Sequence, residues 1–204
     1  AMYSAKQAGR DTYKVFEAEM ANKASRRFHN EQAIRKAVSE LTEFHIEYQP
    51  KVGSEGQLLG LEALVRWTMA DGTRVSPAEF IPLAEETNLI IPLEEYIIAT
   101  VMQQMNEWRS LGKTLVPVAI NLSGKHILAA SLLPFIKSQL VKHKFEDYML
   151  ELEVTEGIFL NDMARCCDVL RDLRSMKIKI AVDDFGTGYS SLNYLKTLPI
   201  DVLK

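Results

Sequence analysis

Nine polar side chains fall close to where predicted strands give way to loops: Gln49, Glu62, Arg66, Asn121, Glu153, Glu156, Asp183, Asp184 and Lys204. Carboxylates with one amide oxygen, and neither sulfur nor imidazole beside them, form a hard donor set suited to Mg²⁺ or Mn²⁺. Asp183 and Asp184 are the sharpest case, because Ile178, Ile180 and Val182 make the preceding run read as a buried strand. Adjacent carboxylates at the end of a core strand need a cation, a hydrogen-bond network or open solvent. Gly186 and Gly188 follow, allowing a turn with positive φ and close backbone approach.

Taken singly, these residues also have purely structural uses. Asp184 suits the cap of a helix beginning near Tyr189, Asn121 the cap of a turn, and Glu153 a solvated strand position. Gly186-Thr-Gly-Tyr-Ser-Ser after a strand also invites a dinucleotide phosphate loop and an oxidoreductase reading. Ser191 replaces that motif's last glycine, however, and two carboxylates just before the loop would repel a pyrophosphate. Placement on successive strands is the stronger signal, since in a parallel αβ barrel those strand ends converge on one face.

The elements that must position these residues alternate. Ile34, Ala37, Val38 and Leu41 recur at helical spacing after Asn30, a candidate N-cap. Residues 44–52 read as a strand, turned through Gly53-Ser-Glu-Gly56 into a second over 57–67. Ser76-Pro-Ala-Glu79 is a helix start. A long helix over 92–111 presents Leu93, Ile97, Val101, Met105 and Trp108 on one face, a core stripe ended by Gly112. Strands over 115–121, 148–154, 178–183 and 200–204 then alternate with helices over 131–144, 162–176 and 190–196, which argues for a parallel sheet, open or closed into a barrel. Ahead of them, residues 1–17 read as a helix end, a Gly9 stop and a strand near 12–16, followed by a charged connector helix over 18–27.

Composition narrows the class. At 204 residues, 47% hydrophobic and 25% charged, the chain has the make-up of a soluble globular protein. Its net charge of −3, without a basic block, argues against a nucleic-acid polymer as partner. No apolar run approaches the roughly 20 residues of a spanning helix, so no membrane contact is expected from this segment; an anchor outside it stays compatible. Adjacent Cys166 and Cys167 make neither a disulfide framework nor a CxxC metal site, which fits a reducing cytoplasm. His29, His45, His126 and His143 show no His-x-x-x-His spacing for zinc chemistry.

Seven motifs carry a family resemblance: Tyr48-Gln-Pro, Leu61-Glu-Ala-Leu-Val-Arg-Trp67, Phe80-Ile-Pro-Leu-Ala-Glu-Glu86, Asn121-Leu-Ser, Glu151-Leu-Glu-Val-Thr-Glu156, Asp183-Asp-Phe-Gly-Thr-Gly-Tyr-Ser-Ser-Leu192 and Leu198-Pro-Ile-Asp-Val-Leu-Lys204. In family order, over residues 28–204, they resemble the EAL family of cyclic di-GMP phosphodiesterases. Residues 1–17 resemble the end of a GGDEF domain, the diguanylate cyclase module often found ahead of EAL. The implied fold is α/β, a (βα)8 TIM-like barrel of the EAL type with about six strands present, since the family's barrel continues past the strand ending at Lys204.

Carried over residue by residue, the resemblance implies a two-metal site for Mg²⁺ or Mn²⁺. Glu62, Asn121, Glu153 and Asp183 would bind one ion, and Asp183 and Asp184 would serve the second. Lys204 would orient the attacking water, with Glu62, Lys204 and Asp184 as catalytic residues. Gln49, Leu64 and Arg66 would hold the nucleotide, and Glu156 would anchor the loop from Asp184 to Ser191. The implied reaction is hydrolysis of cyclic di-GMP to linear pGpG; the alternative is a non-catalytic cyclic di-GMP receptor or an inactive fragment. Implied partners are cyclic di-GMP, upstream GGDEF or sensor domains, and a second copy in a homodimer.

Overall fold

The computed structural model describes residues 18–145, 148–160, 162–183 and 198–204. Helix α1, Ala18–Glu40, leads into strands β1, Phe44–Val52, β2, Leu58–Thr68, and the two-residue β3, Arg74–Val75. Helices α2, Pro77–Glu86, and α3, Ile90–Ser110, precede β4, Val118–Asn121. The short α4, Gly124–Ile127, and α5, Leu132–His143, precede β5, Leu150–Thr155. A 3-10 turn, Glu156–Leu160, and α6, Met163–Ser175, come before β6, Lys179–Asp183, and β7, Val202–Leu203.

One sheet has the strand order β1-β2-β4-β5-β6-β7, with β3 on the side of β2. The first hairpin is antiparallel and every later neighbour on that path is parallel. The expected alternation thus appears as an α/β sheet with helical crossovers. Two expectations shift. Asn30 does not cap a helix, because α1 runs unbroken through it and the residue is buried beside Ile34. β4 begins at Val118 rather than 115: Pro117 has no N–H for a ladder, but its carbonyl accepts from Leu61 N at 2.9 Å. The strand expected near 12–16, the helix near 190–196 and Asp184 lie outside the described residues.

Alternation along each strand separates two environments. One face carries Phe44, Ile46, Ala63, Val65, Trp67, Val118, Ile120, Leu150, Leu152, Val154, Ile180 and Val182, packed into the core with the helices. Phe44, Trp67 and Phe80 meet ring to ring with centroids 5.7–6.1 Å apart, and Tyr48 meets Trp108 of α3 edge-on at 4.9 Å. The other face is polar. Register places Gln49 beside Glu62, Glu62 beside Ala119, Ala119 beside Glu151, and Glu151 beside Lys179. Two residues further along, Asn121 lies beside Glu153, Glu153 beside Ala181 and Ala181 beside Val202, and Thr155 lies beside Asp183. The apolar face stabilises the sheet, which leaves the polar face available for chemistry.

Candidate active site

Glu62 and Asn121 are joined directly. A carboxylate only accepts, so Asn121 must turn its Nδ2 towards Glu62 Oε1, at 3.0 Å, and its carbonyl oxygen is left to face elsewhere. Asn121 is the last residue of β4, and its ladder partner Glu153 sits on β5. Glu153 is 1% exposed. Its Oε1 accepts from Lys204 and from Lys51, the latter at 2.6 Å, while its buried Oε2 has no hydrogen-bond partner among the described residues. Burial pushes the Glu153 carboxyl up, but the bonds from Lys204 and Lys51 outweigh that and hold it below the ordinary range. For Lys51 burial pulls downward, and the bonds to Glu151 and Glu153 more than reverse it, so the ammonium stays charged.

A cavity of about 300 Å³ opens beside this cluster, walled in part by Leu64, Arg66, Glu94, Asn121, Glu153 and Thr155. That is the small end of the range for organic ligands. The Arg66 Nε donates to Glu47 Oε2 at 2.7 Å. Gln49 lies on the exposed side of β1 opposite Glu62, outside the cavity wall. Asp183 ends β6 in the row above Glu153, and Glu156 is buried at the start of the 3-10 turn. The loop expected to rest on Glu156 lies outside the described residues. Glu62, Asn121, Glu153 and Lys204 are therefore linked by bonds or ladder pairing, and Leu64 and Arg66 face the same space.

Among the described residues no three acidic, histidine or cysteine side chains come together as a metal cage. The reason is visible in the contacts: an amide stands between Glu62 and Glu153, and two lysines balance Glu153. The donor set nevertheless fits a hard cation, since a bare buried carboxylate oxygen and an outward amide oxygen stand at neighbouring positions of the ladder. A buried carboxylate oxygen without a hydrogen-bond partner is costly unless a donor or a cation meets it.

Two features were missed by sequence reasoning. Lys51 follows the Tyr48-Gln-Pro motif as an ordinary strand lysine, and nothing local marks it as reaching β5. Glu94 accepts from Ser123 N at 2.8 Å and lies 2.9 Å from His126 Nδ1, with both side chains buried. Burial pushes the Glu94 carboxyl up, and His126 offsets part of this. An acidic residue within the apolar stripe of α3, next to Leu93, was the available signal.

The family model for the EAL domain matches residues 31–204. The chain belongs to the EAL domain family. The bifunctional diguanylate cyclase/cyclic di-GMP phosphodiesterase MucR of Pseudomonas aeruginosa is 38% identical over 205 residues, spanning all of this chain and 30% of that protein. The cyclic di-GMP phosphodiesterase PdeR of Escherichia coli K12 is 35% identical over 204 residues, spanning all of this chain and 31% of PdeR. A solved structure of the PaMucR phosphodiesterase in complex with c-di-GMP superposes with a TM-score of 0.78 at 36% identity, covering 87% of this chain and 71% of that one. This EAL domain thus spans about a third or less of the curated relatives named above. Among its described residues no helix is long and apolar enough to cross a membrane.

Proposed function

We propose that this EAL domain hydrolyses cyclic di-GMP to linear pGpG with the aid of Mg²⁺ or Mn²⁺. The observation that carries the reading is the Glu62–Asn121–Glu153 line, which ends in a buried carboxylate that lines the same cavity as Arg66. Likeness to proteins named as cyclic di-GMP phosphodiesterases supports it. Glu62, Asn121, Glu153 and Asp183 would hold one divalent ion, with Asp183 and Asp184 serving a second. Bound there, such ions supply Lewis-acid stabilisation of phosphate charge and lower the pKa of a bound water.

The chain's own residues do the rest. The Arg66 guanidinium lies at the cavity wall, where its fork matches phosphate oxygens. Leu64 offers an apolar contact to the nucleotide, and Gln49 offers an amide at its edge. Lys204 orients the attacking water, and Glu153 keeps that ammonium in place beforehand. Water adds its oxygen to phosphorus, one P–O bond of the ring breaks, and the leaving oxygen takes a proton, which opens the ring to pGpG. In the same reading residues 1–17 close a GGDEF-like module, 18–27 connect, and 28–204 form the phosphodiesterase unit.

The test is incubation with cyclic di-GMP and Mn²⁺, with chromatography for pGpG. The parent should turn over and Glu62→Ala should not; equal rates would remove the site assignment. A receptor that binds without turnover is favoured by one observation, the pairing of Glu153 with two lysines, Lys51 and Lys204. That reading predicts saturable nucleotide binding and no pGpG.

A further inference from the structure

Lys51 stands on β1, yet its ammonium meets β5. In the sheet order β2 and β4 lie between, so a flat sheet would place three strand spacings, about 14 Å, between the two strands. A lysine cannot span that distance, and the contact therefore requires the polar face to curl inward. Small residues clear the path. Gly60 is the ladder partner of Lys51, and a Cβ there would lie 3.9 Å from Lys51 Cδ and 2.9 Å from the Pro117 carbonyl oxygen. Ala119 occupies the β4 position between Glu62 and Glu151.

At the far end the ammonium is divided between two carboxylates, Glu151 Oε1 at 2.8 Å and Glu153 Oε1 at 2.6 Å. Lys204 meets the same Glu153 oxygen. Two cations on one oxygen with the other buried and bare is a poor arrangement for charge neutralisation alone, because separate oxygens would accommodate both donors better. It is a good arrangement for orienting the carboxylate. With Oε1 held by a lysine that Glu151 itself steadies, the carboxylate is fixed beside its ladder neighbour Asn121 in the cavity lining, and Oε2 is left buried without a hydrogen-bond partner among the described residues.

We propose that Lys51 is a positioning residue: by holding Glu153 Oε1 it keeps Oε2 turned to receive the divalent cation. This rests on the metal-dependent reading above, but its test does not need turnover. The experiment is Mn²⁺ titration by calorimetry of the parent, Lys51→Met and Lys51→Arg, with a thermal melt of each in chelator. Lys51→Met should weaken Mn²⁺ binding by about tenfold or more, the range for residues that orient metal ligands, and Lys51→Arg should restore most of it. Unchanged or tighter Mn²⁺ binding in Lys51→Met would overturn the proposal, since the lysine would then be only a counter-charge or a competitor of the metal. Failure of Arg to restore binding would overturn it too.

Should Lys51→Met lack a cooperative melt, Glu151→Gln removes only the charge that steadies Lys51. It should weaken Mn²⁺ binding by a smaller factor, and an unchanged affinity counts against the proposal. A parent that binds Mn²⁺ without making pGpG would refute the phosphodiesterase reading and leave the Lys51 comparison standing. A parent that binds no Mn²⁺ would refute both.

Discussion

Towards the carboxyl ends of the parallel strands the chain gathers Glu62, Asn121, Glu153 and Lys204, with Lys51 reaching Glu153 from beside Gly60 near the start of β2, whereas at the amino ends it gathers Arg109, His143, Phe145, Tyr148 and Lys177. Both ends contain a buried polar atom with no partner among the described residues, Glu153 Oε2 in the first and His143 Nε2 in the second. They are managed in opposite ways. Glu153 keeps its charge because two lysines hold its other oxygen. His143 sheds its charge, because burial, with Lys142 and Arg109 nearby, holds the imidazole below its ordinary value.

The remaining polar groups follow the same division. At the amino ends Arg109 donates to the carbonyls of His143 at 2.8 Å and Lys144 at 3.0 Å, closing the end of α5, and lies over the Phe145 ring at 5.1 Å. His143 stacks flat on that ring with centroids 5.8 Å apart. Tyr148 N donates to the Lys177 carbonyl at 2.8 Å. These charges are spent on joining helix ends to strand starts. At the other end they are spent on one another, leaving an anionic oxygen unmatched. The two ends thus treat charge differently, in the sense expected of a barrel that keeps chemistry at the carboxyl ends and stability at the amino ends.

Four substitutions test that division, the largest effect first. Asn121→Ala should lower turnover of cyclic di-GMP by roughly 10- to 100-fold, about 1.4 to 2.7 kcal/mol of barrier, while leaving the melting temperature nearly unchanged, since among the described residues its side chain bonds Glu62 alone, at an exposed position. A large drop in melting temperature would make the residue structural. Arg109→Ala should do the reverse, costing about 1–2 kcal/mol of stability by denaturant titration for two carbonyl bonds and a ring contact, with turnover intact below the transition. Reduced turnover without lost stability would erase the distinction between the two ends.

The third test uses pH. Folded His143 binds its proton less readily than the unfolded chain, whose imidazole titrates near 6.5. Below that pH the unfolded state therefore holds more protons, and stability present above about 6.5 is lost as pH falls towards the folded value, by at most about 1.4 kcal/mol per unit for one proton. His143→Phe keeps an aromatic ring on Phe145 without the titration, so its stability should fall less between pH 7 and 5.5. Parallel curves for parent and variant would show that His143 contributes nothing to the acid response. The smallest effect is expected from Lys144→Gly. Lys144 holds φ 53° and ψ 52° at the end of α5, a left-handed conformation that a side chain disfavours by about 1 kcal/mol, so glycine should raise stability by up to that amount. A clear loss would mean that the lysine side chain itself supports the turn.

Much of this was legible beforehand. Residues 44–52 read as a strand and the structure has β1 over Phe44–Val52, because hydrophobic alternation and the Gly53–Gly56 turn are local signals. The sequence reads a helix from Asp162, and there its side chain accepts from Arg165 N. The short α4, the 3-10 turn and β3 are not legible in the sequence, since each is too brief to show a period. Lys51 and Glu94 escaped for a different reason: their partners lie on other elements, and spacing along the chain carries no record of distance across it.

From sequence alone came the alternation of elements, the polar residues at the strand ends and the motifs of the EAL domain, all of them properties of neighbours along the chain. Tertiary structure decided which oxygen of Glu153 is held and which is bare, that Asn121 turns its amide nitrogen to Glu62, and that a lysine from the first strand crosses to the fifth. Those outcomes depend on the ladder register and on the curl of the sheet. Burial then sets their electrostatic weight, because a carboxylate with one oxygen unmatched matters only where water cannot reach it.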